Sequence, residues 1–337
     1  MFTLKSAKSP IVGLLLVASL HGQAAAAKDA FGLDQYKLSA DKITHPKKPY
    51  TTKFGNPINV YDITPNNADQ KKKNPTLRFL IQGGLHGNEL LASEFVGWLA
   101  KRFAAGESLL NTLNQGNIAI DFIPYANPDG TILFTRYNSN QINLNRNFGV
   151  LWGMTRENPG PSAFSENESR AIGDLIVNRK YTAAIDVHGY VNWVVIPTAP
   201  NSGVKGLPAI SKEQQKMYEQ WSFAVKREAA KQLPGYEVKT AGELGDGGAF
   251  EDFAWWKGGT PAACLELFTE SRHVLFSFAS TIMSLLTPKI LSPNERPQAR
   301  QGDTFIAYEN YIHSLFSEAI RIKTGSDSIK DVVSSGN

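Results

Sequence analysis

Cysteine is almost absent from this 337-residue chain: Cys264 is the only one. A single thiol cannot form a disulfide within the chain, so stability must come from packing rather than cross-links. Cys264 stands among Ala262, Ala263 and Leu265, the setting of a small buried hydrophobe rather than a reactive thiol. Apolar runs are short, and none reaches the roughly 20 residues needed to cross a bilayer. Neither sign of charge dominates. The 35 basic and 31 acidic side chains give a formal +4, too small and too evenly spread for the concentrated basic face that binds nucleic acid. Internal repeats and long linkers are also missing. What is there, 42% hydrophobic and 20% charged residues with 28 Gly and 18 Pro, is ordinary globular composition, which excludes disorder, collagen and coiled coil.

The N-terminus has a layout of its own. Lys5 and Lys8 precede an apolar stretch from Ile11 to Leu20, and Ala25-Ala26-Ala27 offers a small-residue cleavage site. Together they read as a signal peptide over residues 1–27, so the protein is expected to be exported, either periplasmic or secreted. Removing those residues leaves 310 residues and a net charge of +2. Residues 28–73 read as an N-terminal extension, 74–325 as one catalytic domain and 326–337 as a polar tail. The basic run Lys71 to Lys73 reads as a solvated loop.

Strand and helix patterns alternate along the domain. Thr76 to Ile81, Ile118 to Ile123, Ala183 to Val187, Trp193 to Ile196 and Ala262 to Phe268 are short apolar runs of strand type. Helical patterns cover Leu90 to Phe103, Glu213 to Gln232, Val274 to Leu286 and Thr304 to Ile322. Ser165 followed by Glu168 has the spacing of a capping box ahead of a further helix reaching Asn178. Asn127-Pro128-Asp129-Gly130 is a turn signal. The alternation predicts an α/β fold, a sheet sandwiched between helices.

Chemistry-bearing residues gather at predicted strand ends. His86 and Glu89 are three apart, so one helical turn sets both on the same side, and an imidazole nitrogen with a carboxylate oxygen suits zinc. His188 closes the strand Ala183 to Val187 and could supply a third ligand, leaving one position open as in catalytic sites. Glu266 stands in the middle of an apolar strand, where burial would raise its pKa and fit it for proton transfer near a metal. Arg136 and the pair Asn145-Arg146 follow the turn, and a guanidinium can meet an oxyanion or clamp a carboxylate.

In order along the chain, these residues resemble the zinc carboxypeptidase family of funnelin type, closest in flavour to bacterial murein peptide amidases. The resemblance is carried by His86-x-x-Glu89, Asn127-Pro128-Asp129-Gly130, Thr135-Arg136-x-Asn138, Asn145-Arg146-Asn147-Phe148, Phe164-Ser165-Glu166, His188-Gly189-Tyr190 and Leu265-Glu266-Leu267. It implies a single-domain mixed sheet of about eight strands between helices. It further implies one zinc ion on His86, Glu89 and His188, Glu266 promoting the attack of water, and Arg136 stabilising the oxyanion. Asn145 and Arg146 would hold the terminal carboxylate of a peptide substrate.

Two positions depart from the family pattern. Asn143 stands where an Asp usually orients the first histidine; an amide can accept that hydrogen bond but brings no charge. The mobile tyrosine of the family has no counterpart, and Glu243 falls at the matching place. Glu243, Asp246, Glu251 and Asp252 crowd ten residues beside the implied specificity pocket, and Glu243 and Glu251 are taken as substrate-binding candidates. Acidic groups there would favour an amine-bearing terminal residue, lysine, arginine or diaminopimelate, and with export they point to murein peptides. Gly84-x-His86-Gly87-Asn88-Glu89 also resembles the aspartoacylase and succinylglutamate desuccinylase group, which makes an N-acyl amino acid deacylase the alternative. A non-enzymatic binding protein on the same fold is a third class, set aside because His86, Glu89, His188 and Glu266 are all present.

Overall fold

A computed structural model describes residues 31–38, 50–65, 77–267 and 298–325. The expected signal peptide, the lysine run at 71–73, the helix from Val274 to Leu286 and the tail at 326–337 lie outside them. Among the described residues, seven strands form one mixed sheet, where about eight were expected: β1 (Tyr61–Ile63), β2 (Leu77–Gly83), β3 (Ile118–Ile123), β4 (Ala183–His188), β5 (Trp193–Ile196), β6 (Glu237–Thr240) and β7 (Ala262–Glu266). Their spatial order is β1-β3-β2-β4-β7-β5-β6. The centre, β3-β2-β4-β7, is parallel, β1 and β5 join antiparallel, and β6 runs parallel to β5.

The central strands are nearly continuous apolar runs because both faces are covered. On one face, Phe79, Ile81, Ile120 and Ile185 pack against α1 (Leu90–Ala105), α4 (Lys212–Gln232) and α7 (Gln298–Thr324), through Phe95, Phe103, Trp221, Tyr311 and Phe316. Phe79 stacks on Phe316 with ring centroids 4.2 Å apart. On the other face, Leu80, Ala184 and Ala262 meet α3 (Asn167–Arg179) and α6 (Phe250–Trp256) through Ile172, Leu175, Phe250 and Phe253. Three residues at the centre of the ladder, Ile81, Ile185 and Ala263, lie in register across β2, β4 and β7.

Local readings differ in informative places. The turn signal at Asn127 opens a short helix, α2 (Pro128–Leu133), because the Asn127 side chain accepts the Gly130 N–H at 2.9 Å and Pro128 stands in the first turn. The Ser165 capping box does not form. Glu166 is the N-cap of α3, while Ser165 Oγ donates to Glu166 Oε1 and accepts from Asn147 Nδ2, so tertiary bonding takes over from the local motif. α5 (Ala241–Leu244) does carry a capping box, formed by Thr240 and Glu243. β1 and the buried Leu33 come from the segment 28–73, so part of the expected extension packs into the same body as the sheet.

Candidate active site

The carboxyl ends of β2, β4 and β7 open on one rim, where parallel α/β sheets gather ligand-binding groups. After β2 the chain turns at Gly84, whose φ of +73° suits glycine, and reaches His86 and Glu89 just before α1 begins. Gly87 lies against the backbone of α2: a Cβ there would fall 2.0 Å from the Gly130 carbonyl carbon. That backbone contact fixes where the His86 loop sits. His188 ends β4 and is directly opposite Glu266 at the end of β7.

The structure brings His86, Glu89 and His188 together, with ligand atoms within 4.8 Å of one another and all three residues buried. His86 Nδ1 lies 2.8 Å from Glu89 Oε1, His188 Nδ1 2.9 Å from Glu89 Oε2, and the two Nδ1 atoms 3.0 Å apart. The outer nitrogens are held by oxygens, His86 Nε2 at 3.1 Å from Asn143 Oδ1 and His188 Nε2 at 2.8 Å from Asp186 Oδ2. Each outer oxygen accepts from an Nε2–H and leaves the Nδ1 lone pair facing inward, which is how metal-binding histidines are oriented. Two lone pairs and a carboxylate converging on one point call for a cation, and nitrogen with carboxylate oxygen suits zinc. The donor set fits that metal.

The same carboxylates that would attract a cation also attract protons. Burial resists charging His188, but Asp186 and Glu89 outweigh it and raise its pKa well above the ordinary histidine value. Burial lowers the pKa of His86. For Glu89 burial acts upward, but the two histidines prevail and hold it far below the usual carboxylate range. Glu266 is pushed up to about 7, mainly by burial, with the His188 and Arg136 charges opposing and Glu89 and Asp186 adding. Its Oε2 is buried and has no hydrogen-bond partner.

Arg136 reaches the cluster from the irregular stretch after α2. Its Nη1 lies 3.0 Å from His86 Nδ1 and donates to Glu89 Oε1 at 3.3 Å. Its other side forms a fork on Glu157, Nε to Oε2 and Nη2 to Oε1, both at 3.2 Å. Asn145 and Arg146 sit in a single 3-10 turn, Leu144–Arg146, and are buried. Asn145 Oδ1 accepts the Phe250 N–H at 2.8 Å and so anchors the start of α6. Arg146 Nη1 donates to the Asn145 carbonyl, and Nη2 donates to Glu157 Oε1 at 3.2 Å and to Asp246 Oδ1. The backbone of the 3-10 turn is zipped to the Gly247-Gly248 loop, where Gly248 O accepts the Phe148 N–H and Gly248, at φ +81°, leaves no room for a Cβ beside the Arg146 carbonyl.

The four acidic residues of the 243–252 stretch part company. Glu243, expected at the substrate pocket, is exposed, and its Oε2 accepts the Thr240 N–H as a helix cap, so it takes no part in the cluster. Asp252 is bound by Thr198 through N–H and Oγ1 at 2.6 and 2.9 Å. Asp246 pairs with Arg146. Glu251 is 2% exposed in the first turn of α6, within electrostatic reach of Asp186, Asp246 and Cys264, and its Oε2 has no partner. Burial, with the Asp252 charge, pushes its pKa up to about 8.

Sequence reasoning missed two residues of the site. Asp186 carried a readable signal, since it lies two positions before His188 on one strand and shares its face. Glu157 carried none, lying in an irregular loop.

A helix-covered mixed sheet whose parallel central strands end on two histidines, a glutamate and an adjacent carboxylate and arginine fits a metal-dependent hydrolase. The family model described as zinc carboxypeptidase, peptidase M14, matches residues 33–286. The chain belongs to that family. It is a zinc metallopeptidase of carboxypeptidase type, which answers the deacylase alternative in favour of the peptidase. Among solved structures, it is similar to carboxypeptidase A from Helicoverpa armigera (19% identity, TM-score 0.57, covering 94% of this chain and 83% of that one). It is also similar to bovine thrombin-activatable fibrinolysis inhibitor in complex with tick carboxypeptidase inhibitor (15%, 0.57, 91% and 96%). A metallo-carboxypeptidase from Burkholderia cenocepacia matches too (17%, 0.53, 92% and 69%). At these identities the likeness is one of fold. No curated protein matches the sequence.

Proposed function

We propose that the protein is an exported zinc carboxypeptidase that removes an amine-bearing terminal residue, such as lysine or diaminopimelate, from cell-wall peptides. His86, Glu89 and His188 would hold the zinc ion. When bound, zinc supplies Lewis-acid polarisation of the scissile carbonyl and lowers the pKa of water. Glu266 takes the proton of the attacking water at its free Oε2 and delivers it to the leaving amine. The Arg136 guanidinium, lying beside Glu89 and His86, donates to the carbonyl oxygen as negative charge develops. The Asn145 amide, whose oxygen is already engaged by Phe250, has its NH2 free to donate to the terminal carboxylate, and Arg146 adds a guanidinium beside it.

The observation that carries the substrate class is Glu251. A fully buried carboxylate oxygen without a hydrogen-bond donor is costly, and a substrate ammonium reaching it would provide the missing partner. Export and the wall rest on the N-terminal pattern and the family resemblance. Rates on hippuryl-Lys, hippuryl-Phe and murein tri- and tetrapeptides test the reading. Lysine and diaminopimelate termini are expected to be released fastest, with Glu251→Gln losing that preference; fastest release of phenylalanine would refute it.

A further inference from the structure

Glu157 stands in the irregular loop between the Leu144–Arg146 turn and α3, near the exposed Gly153, Met154 and Arg156. Its carboxylate collects four donors. Oε2 accepts from Arg136 Nε at 3.2 Å and from Asn143 Nδ2 at 2.6 Å; Oε1 accepts from Arg136 Nη2 and Arg146 Nη2, each at 3.2 Å. A fork from one arginine, a second guanidinium and an amide N–H make up the donor set that recognises a free carboxylate. Three of those four donors belong to the arginines assigned above to the oxyanion and the terminal carboxylate. With Asp246 also on Arg146 and Glu89 on Arg136, the two cations face three carboxylates and the subsite carries no net positive charge.

We propose that Glu157 is an internal stand-in for the substrate carboxylate, a specificity-determining residue that an incoming terminal carboxylate must displace before it can reach Arg146. Asn143 is an independent sign that the arrangement is built in. Its Oδ1 faces His86 Nε2 at 3.1 Å while its Nδ2 donates to Glu157. An aspartate at 143, the residue implied by the family pattern, could serve the histidine but would set two carboxylates against each other at that distance. The amide serves both. Partial burial acts to raise the Glu157 pKa, but its hydrogen bonds from Arg136 and Asn143 prevail and keep it ionised. About 30% of its side chain is exposed, so a rotation toward solvent releases both arginines from Glu157, leaving Arg146 on Asp246 and Arg136 on Glu89.

The consequence is weak discrimination between a terminal carboxylate and a neutral group in its place. The inference rests on the assignment of Arg146 to the carboxylate. Calorimetry on the full-length zinc-loaded protein, with L-lysine and L-lysinamide as probes, tests it. The wild type is expected to prefer lysine over lysinamide by less than about ten-fold, the factor given by ~1.4 kcal/mol. Glu157→Gln and Glu157→Ala are expected to bind lysine about ten-fold more tightly with lysinamide unchanged. The KM for hippuryl-Lys should fall with them, and a change in kcat would report on Arg136, which loses its fork on Glu157. A ten-fold or larger preference for lysine in the wild type, or lysine affinity unchanged or weakened in both variants, would overturn the proposal. The wild-type ratio decides alone if neither variant folds. A failure of the underlying assignment looks different: Arg146→Ala added to Glu157→Gln would then leave lysine affinity untouched, where the proposal expects the gain to vanish.

Discussion

Replacing Glu251 with glutamine should stabilise the protein in a pH-dependent way, and the size of the effect follows from its surroundings. The side chain is 2% exposed, its Oε2 has no donor, and burial pushes its pKa from 4.5 up to about 8. A carboxyl group with a raised folded-state pKa folds most favourably when neutral. Its contribution is fully present below about pH 4.5, declines as pH rises, and is lost once pH passes about 8. At 1.36 kcal/mol per unit, the 4.5-to-8 shift corresponds to about 5 kcal/mol over the whole window, an upper figure because a buried site relaxes and admits water when it ionises. Glutamine keeps the shape and does not titrate. The variant-minus-wild-type difference in unfolding free energy, measured in urea with zinc held in excess, should therefore grow steadily from pH 5 to pH 8 and level off beyond. Even 1.5 kcal/mol of growth would separate the two thermal midpoints by roughly 2 °C. A difference that stays constant across that range would refute the reasoning, because it would mean that Glu251 ionises as easily in the folded chain as in the unfolded one.

The remaining expectations concern the chemistry. Glu266→Gln should retain zinc at unchanged stoichiometry and lose several orders of magnitude in kcat, whereas His188→Ala should lose both; metal analysis beside single-turnover kinetics separates the two. Arg136→Ala should lower kcat by about 10²–10³-fold, the usual cost of removing one oxyanion donor, and a fall confined to KM would contradict its placement beside Glu89.

The parts of the molecule that sequence could disclose are those where a single local rule operates. β3, β4 and β7 are apolar runs with both faces covered, so they announce themselves without knowledge of their partners. The approach of His86 to Glu89 was legible because three residues at a strand-to-helix junction span one turn, and His188 because it closes a buried strand. β1 and β6 were not, being three or four residues long and held by partners distant in sequence, and α5 is a single turn too short to show a helical period. The strand order was equally hidden, since nothing in β5 says that it runs antiparallel to β7 and parallel to β6. Charge patterns misled where the backbone competed for the side chain. Glu243 looked like a pocket residue and caps its own helix, while Ser165 had the spacing of a cap and bonds to Asn147 and Glu166. Glu157 depends wholly on tertiary folding, because the three side chains that hold it come from positions 136, 143 and 146 on the far side of its loop.

The pairing of His188 with Glu266 as facing residues on adjacent parallel strands has a consequence for how such a protein can change over generations. Neighbouring strands keep a spacing of about 4.8 Å whatever their side chains. The distance between the Glu266 and His188 backbones is thus inherited from the ladder and needs no separate maintenance. Arg136, Arg146 and Glu157 ride on irregular backbone, which tolerates insertion and drift far better than a central strand does. Divergence can shift the groups carried on that irregular backbone while the spacing between His188 and Glu266 stays fixed.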